Sequence, residues 1–138
     1  MLTAGQDGDS PRFIPVLEKI RVPRRRGGPA RSRPDAVAAD MAYGSRANRT
    51  YLRKHGVKAV IPEKADQAAN RKKKGSKGGR PITYDKDLYK RRNLIERCNN
   101  RLKQWRGIAT RYDKLPDRYQ GGVELASALI WLRSLSPD

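Results

Sequence analysis

One carboxylate stands apart from its surroundings. From Arg71 to Arg106 the chain carries fourteen Lys and Arg and three acids, a local net of +11. Asp85 and Asp87 fall where a helix would begin, and a carboxylate there meets the positive end of the helix dipole. Glu96 instead falls in the middle of the expected helix, between Arg92 and Arg97. At about 100° per residue with Tyr89 at zero, Arg92 lies near ~300°, Glu96 near ~340° and Lys103 near ~320°. Those four residues form one stripe roughly 20 Å long. Leu88, Ile95 and Leu102 fall at about 220–260°, and Cys98 and Trp105 at about 160–180°, so the packing face lies beside this stripe. A carboxylate among cations has two uses. It can neutralise its neighbours in exposed pairs worth a few tenths of a kcal/mol each. It can also hold a hard divalent cation beside a phosphate that the cations bind.

Composition narrows the setting. The 138 residues suit one domain at most, and 36% of them are hydrophobic, enough for a modest core. There are 32 Lys and Arg against 14 Asp and Glu, a formal charge of +18. Self-repulsion of that size is relieved by a polyanion, which points to nucleic acid. No apolar run is long enough to span a membrane, and the basic helix lacks the broad apolar face of a membrane-surface helix. Residues Met1 to Asp9 do not have the pattern of a signal peptide. Cys98 is the single cysteine and His55 the single histidine, which excludes an internal disulfide and disfavours a zinc site. Cys98 reads as a small packed side chain and His55, before Gly56, as an exposed helix end.

The elements that must position these residues follow from the pattern. A helix is expected over residues 11–20, capped by Asp9 or Ser10, with Pro11 in its first turn and an apolar stripe of Phe13, Ile14, Leu17 and Ile20. Residues 21–34 read as a basic linker: six arginines alternate with glycine and proline, and no acid lies among them. Ala36 to Ala39 reads as a strand closed by Asp40. Ser45 caps a helix running to His55, Gly56 stops it, and Val57 to Ile61 is a second, β-branched strand. Strand, helix, strand at this spacing predicts an α/β fold with a parallel pair. Residues 63–84 read as a mobile basic loop, containing Arg71, Lys72, Lys73, Lys74 and Lys77. A single helix is expected over residues 85–106 with Gly107 as its stop, and a terminal helix over residues 123–135.

The words along this chain resemble those of DDE transposases of bacterial insertion sequences. Tyr, two residues, Arg, three residues, Glu, six residues, Lys is a signature of that group, and Tyr89, Arg92, Glu96 and Lys103 match every spacing. Gly107-Ile-Ala-Thr-Arg-Tyr-Asp-Lys follows, and Asp40-Met-Ala-Tyr-Gly-Ser is similar to the family's second acidic motif. The resemblance runs from about Thr3 to Leu135. It implies a ribonuclease-H-like fold in which Asp40 is the second acid of a catalytic triad and Glu96 the third. It implies two magnesium or manganese ions held by carboxylates once the family's first acid is supplied, the arrangement suited to in-line displacement at a phosphodiester. Arg92 and Lys103 would hold DNA phosphates and Tyr89 would stack or hydrogen-bond near the cut strand. The basic run Arg71, Lys72, Lys73, Lys74 and Lys77 would bind DNA as well.

The family's first acid precedes a stretch similar to Leu2-Thr-Ala-Gly-Gln-Asp-Gly-Asp-Ser. Asp7 and Asp9 do not match its motif. The expectation is therefore an incomplete ribonuclease-H-like fold lacking its first strands, with a basic helical carboxy-terminal part. Such a chain would be a truncated transposase unable to cut DNA alone, cytoplasmic and associated with the nucleoid. Its partners would be DNA and either an upstream fragment or a full-length transposase. Two other readings fit the charge: a non-catalytic basic nucleic-acid-binding protein, and a subunit that complements or inhibits an intact transposase.

Overall fold

The computed structural model describes residues 8–135, which form two compact units, residues 8–92 and residues 93–135. The stretch before Gly8, including Asp7, lies outside the described residues.

The first unit is α/β. A 3-10 turn at Ser10–Arg12 leads into helix α1 (Phe13–Glu18), shorter than the span expected from the apolar stripe. Strand β1 (Ala36–Ala38) pairs in parallel with β2 (Lys58–Val60), in the register Ala36 with Lys58, Val37 with Ala59 and Ala38 with Val60. Helix α2 (Arg46–Lys54) makes the crossover. Its ends are fixed by local chemistry. Ser45 accepts from the Asn48 amide at 3.2 Å, as an N-cap serine does. At the other end Gly56 has φ +64°, its amide donates to Arg53 O at 3.1 Å, and the Val57 amide donates to Leu52 O at 2.9 Å. This is a Schellman closure, with its apolar contact supplied by Val57 and Leu52. Those two residues, Phe13 and Ile61 make the core, and Ile14, Leu17, Val37, Tyr43 and Tyr51 pack against it.

Between residues 63 and 84, where a mobile loop is expected, the chain forms helix α3 (Ala65–Lys73) and a 3-10 turn at Gly75–Gly78. The lysines and glycines obscure a good helix-forming run, with three alanines and a glutamine, an acid (Asp66) in the first turn and cations in the last.

The expected helix over residues 85–106 is broken. Helix α4 (Lys86–Lys90) starts at Asp85, whose side chain accepts from the Asp87 and Leu88 amides. The Arg91 and Arg92 amides then donate three residues back, to Leu88 and Tyr89, and helix α5 (Asn93–Lys103) follows. Gly107 does not stop a long helix; it lies inside a short one, α6 (Arg106–Ala109).

The described elements of the second unit are all helices. Helix α7 (Pro116–Leu135) begins seven residues before the expected start. Gly121 and Gly122 hide that turn, since each glycine costs about 1 kcal/mol against alanine in a helix, whereas Pro116 suits the first helical position. Tyr119 ties α7 to α6 by donating its hydroxyl to Ile108 O at 3.1 Å. Among the described residues of this unit only Ala126 is buried; Leu94, Ile95, Trp131 and Leu132 are exposed. Ile95 therefore does not occupy the core face expected of it. No described helix is long and apolar enough to cross a membrane.

Candidate functional site

Asp40 directly follows β1, whose neighbour Ala39 still bonds to Val60 O at 3.3 Å. It stands at the carboxyl end of a parallel strand, where α/β sheets place ligand-binding groups. One carboxylate oxygen, Oδ1, accepts from the Ala42 amide at 2.8 Å and caps the 3-10 turn at Met41–Tyr43. Oδ2 has no hydrogen-bond partner among the described residues. A half-buried carboxylate with one oxygen fixed and one open suits a hard cation such as magnesium.

Tyr43 leans over the same corner. Burial pushes its hydroxyl above the usual range, and the carboxylates of Asp9 and Asp40 push it further. Asp9, read from the sequence only as a possible helix cap, is thus close enough to this corner for its charge to act on Tyr43. Ser10 donates to Ala42 O at 3.4 Å across the same junction.

The corner is held by Arg49, a residue the sequence did not single out. From α2 its Nε donates to Gly44 O at 3.2 Å, and its Nη2 donates to Ile61 O at 2.9 Å and Pro62 O at 3.1 Å. One guanidinium fork thereby joins the turn after Asp40 to the end of β2. The signal was an arginine one turn into a capped helix, indistinguishable by sequence from its basic neighbours.

The four signature residues divide into two pairs. Tyr89 and Arg92 belong to the first unit, with the Arg92 guanidinium 5.8 Å from the centre of the Tyr89 ring, within cation–π range. Tyr84 meets Tyr89 edge to face, its ring centre 5.5 Å from that of Tyr89. Glu96 and Lys103 belong to the second unit, seven residues apart on α5 and so on one face of it. Glu96 is exposed and lies in the first turn of α5, not mid-helix. The break at Arg91 and Arg92 causes this, and it gives Glu96 the same dipole rationale as Asp85 and Asp87. Among the described residues no group of three or more His, Cys, Asp or Glu is gathered to hold a metal ion.

The expected DNA-binding cations also divide. Lys72, Lys73, Lys74 and Lys77 are exposed. Arg71 is turned inward and bonds to both oxygens of Glu63, at 3.1 and 3.0 Å, with side chains only 18% and 13% exposed. That bond and the positive charges of Arg71 and Arg49 hold the Glu63 carboxyl below its ordinary range. Arg71 thus fastens α3 to the end of β2.

Comparison with protein families matches residues 1–131 to the family described as Transposase DDE domain. A curated relative is "Putative transposase for insertion sequence element IS6501" from Brucella ovis (strain ATCC 25840 / 63/290 / NCTC 10512), 49% identical over 51 residues. That match covers 37% of this chain and 39% of the relative. No solved structure matches the chain.

Proposed function

Because this chain belongs to the transposase DDE domain family, we propose that it acts in DNA transposition, supplying Asp40 and Glu96 as two of the carboxylates of a metal-dependent phosphodiester-cleaving centre with a ribonuclease-H-like arrangement. The observation that carries this reading is Asp40: a carboxylate at the carboxyl end of a parallel strand, with Oδ2 open and the turn after it tied by Arg49 to the end of β2. Magnesium or manganese, when bound there, would supply Lewis-acid stabilisation of the attacking and leaving oxygens. The protein's own part is to hold the carboxylates and the DNA. Arg92 and Lys103 bind phosphate oxygens, Tyr89 stacks or hydrogen-bonds beside the strand end, and Lys72, Lys73, Lys74 and Lys77 neutralise backbone charge. Arg71 supports them by fixing α3. The setting is the nucleoid.

The family's chemistry calls on three carboxylates and the motifs here match two, so the chain alone is expected not to nick DNA. Manganese binding, followed by calorimetry, should weaken in both Asp40→Asn and Glu96→Gln. Supercoiled plasmid with magnesium should remain intact. Unchanged metal binding in both variants would overturn the assignment of these acids. Nicking that disappears in Glu96→Gln would instead overturn the expectation of inactivity.

A second reading has its own observation. Asp40 caps a turn and Glu96 occupies the first turn of a helix, and both positions favour a carboxylate without any metal. On that reading the chain is a basic nucleic-acid-binding protein, and the same calorimetry decides between the two.

A further inference from the structure

Residues 21–34, read from the sequence as a flexible linker, form a closed hairpin. Val22 and Arg31 exchange both backbone bonds, at 2.9 and 2.8 Å. The tip turns through Gly27 and Gly28, at φ +75° and +91°, values that glycine adopts without strain. The arginines of this segment serve two different purposes. Arg21 donates to Glu18 O and Ile20 O at the end of α1. Arg31 pairs with Asp35 at 2.6 Å, and Arg33 donates to His55 O at 2.8 Å at the end of α2. Arg21 and Arg33 fasten the base of the hairpin to the two helix ends, and Arg31 pairs locally with Asp35. Arg24, Arg25 and Arg26 lie at the tip, exposed, and their guanidiniums have no partner among the described residues.

From this division we infer that the hairpin is a duplex-DNA backbone clamp, in which the anchored arginines hold the base and Arg24, Arg25 and Arg26 bind phosphates. The inference rests on DNA being the partner in the proposed function. The chemistry of the segment selects the ligand. Residues 21–35 contain no aromatic side chain on which unpaired bases would stack. The tip offers no bulky apolar anchor of the kind that dominates protein–protein interfaces or seats a helix in a membrane surface. Cations alone suffice for a phosphate backbone, and guanidinium forks match phosphate oxygens in pairs. Anchoring the base reduces the ordering cost on binding.

The test is the anisotropy of a labelled duplex of arbitrary sequence, titrated with the full chain at several salt concentrations. Each phosphate contact contributes about 0.9 to the slope of log affinity against log salt. Arg24→Ala/Arg25→Ala/Arg26→Ala should therefore flatten the slope by about 2.7 and weaken binding on the order of 100-fold at 0.15 M salt. A control that removes the same charge from the second unit, Lys114→Ala/Arg118→Ala/Arg133→Ala, should leave the slope near that of the parent. Equal slopes in the two triple variants would mean that only net charge matters and would overturn the clamp. Tighter binding of a single strand than of the duplex, or of anionic vesicles than of either, would overturn it as well. If the parent binds no duplex, the DNA partner of the proposed function fails along with the clamp. Parent-like binding in the tip variant removes the clamp alone. The tip is exposed and backbone-closed, so circular dichroism should be unchanged by the three substitutions.

Discussion

Arg49→Met removes the brace behind Asp40 with little change in side-chain length. The loss can be worked from three bonds. Hydrogen bonds to a charged donor contribute about 1.5–3 kcal/mol each when well buried. Here the guanidinium is half-buried, so water takes over part of the work at Gly44 O. Ile61, however, is fully buried, and its carbonyl loses a partner at 2.9 Å. The sum comes to about 2–4 kcal/mol once solvent replacement is allowed for. At about 4–8 °C per kcal/mol for a unit of this size, melting should fall by at least about 8 °C. Arg49→Lys keeps the charge but not the fork, and it should recover less than half of the loss. Urea unfolding measures the global effect. Hydrogen exchange at the Ala42 amide, which Asp40 accepts, measures the local one, and its protection should drop more than that of α2 amides. A Met variant within about 0.5 kcal/mol of the parent, with Ala42 protection unchanged, would refute the idea that Arg49 positions the acid.

Three further outcomes follow from the same corner and its supports. The Glu63 carboxyl is depressed below its ordinary 4.5, so its stabilising contribution is present above that value and lost as pH falls through the lower folded one. The urea midpoint of Glu63→Gln should lie below the parent's by a constant amount above about pH 5, and the gap should close on acidification; parallel curves down to acid pH would sink the pairing with Arg71. Asp9→Asn should lower the Tyr43 hydroxyl toward its ordinary 10.0 further than Asp40→Asn does, because Asp9 contributes the larger charge effect; neither should restore it fully, since burial is the first cause, and tyrosine titration by NMR reads the order. Gly56→Ala forces a left-handed backbone on alanine and should cost about 1–2 kcal/mol, visible as a lower urea midpoint at unchanged slope.

The parallel pair and its crossover were legible because each boundary had its own chemical mark: Ser45 as a cap, Gly56 as a left-handed stop, and a β-branched run after it. Asp40 was legible as a strand-end acid for the same reason. The brace was not. Whether an arginine points to solvent, as Lys72 does, or folds back on three carbonyls, as Arg49 does, depends on where β2 ends in space. The hairpin over residues 21–34 escaped for a related reason. Its proline and glycine content reads as flexibility, while the single bridge that closes it pairs valine with arginine, which carries no strand pattern. Helix α3 escaped because a lysine run and nearby glycines mask three alanines, although propensity summed over the nine residues favours helix.

The signature residues do not lie on one continuous helix. Angular positions at 100° per residue hold only along an unbroken α-helix. Across Arg91 and Arg92 the amides bond three residues back, and such turns advance by about 120° per residue. The angular reading therefore applies within each helix and not across the two. Two shorter relations survive because each lies within one element or one unit: Arg92 over the Tyr89 ring, and Glu96 with Lys103 two turns later on α5. The spacing from Tyr89 to Lys103 therefore encodes two local pairs joined by a tight turn.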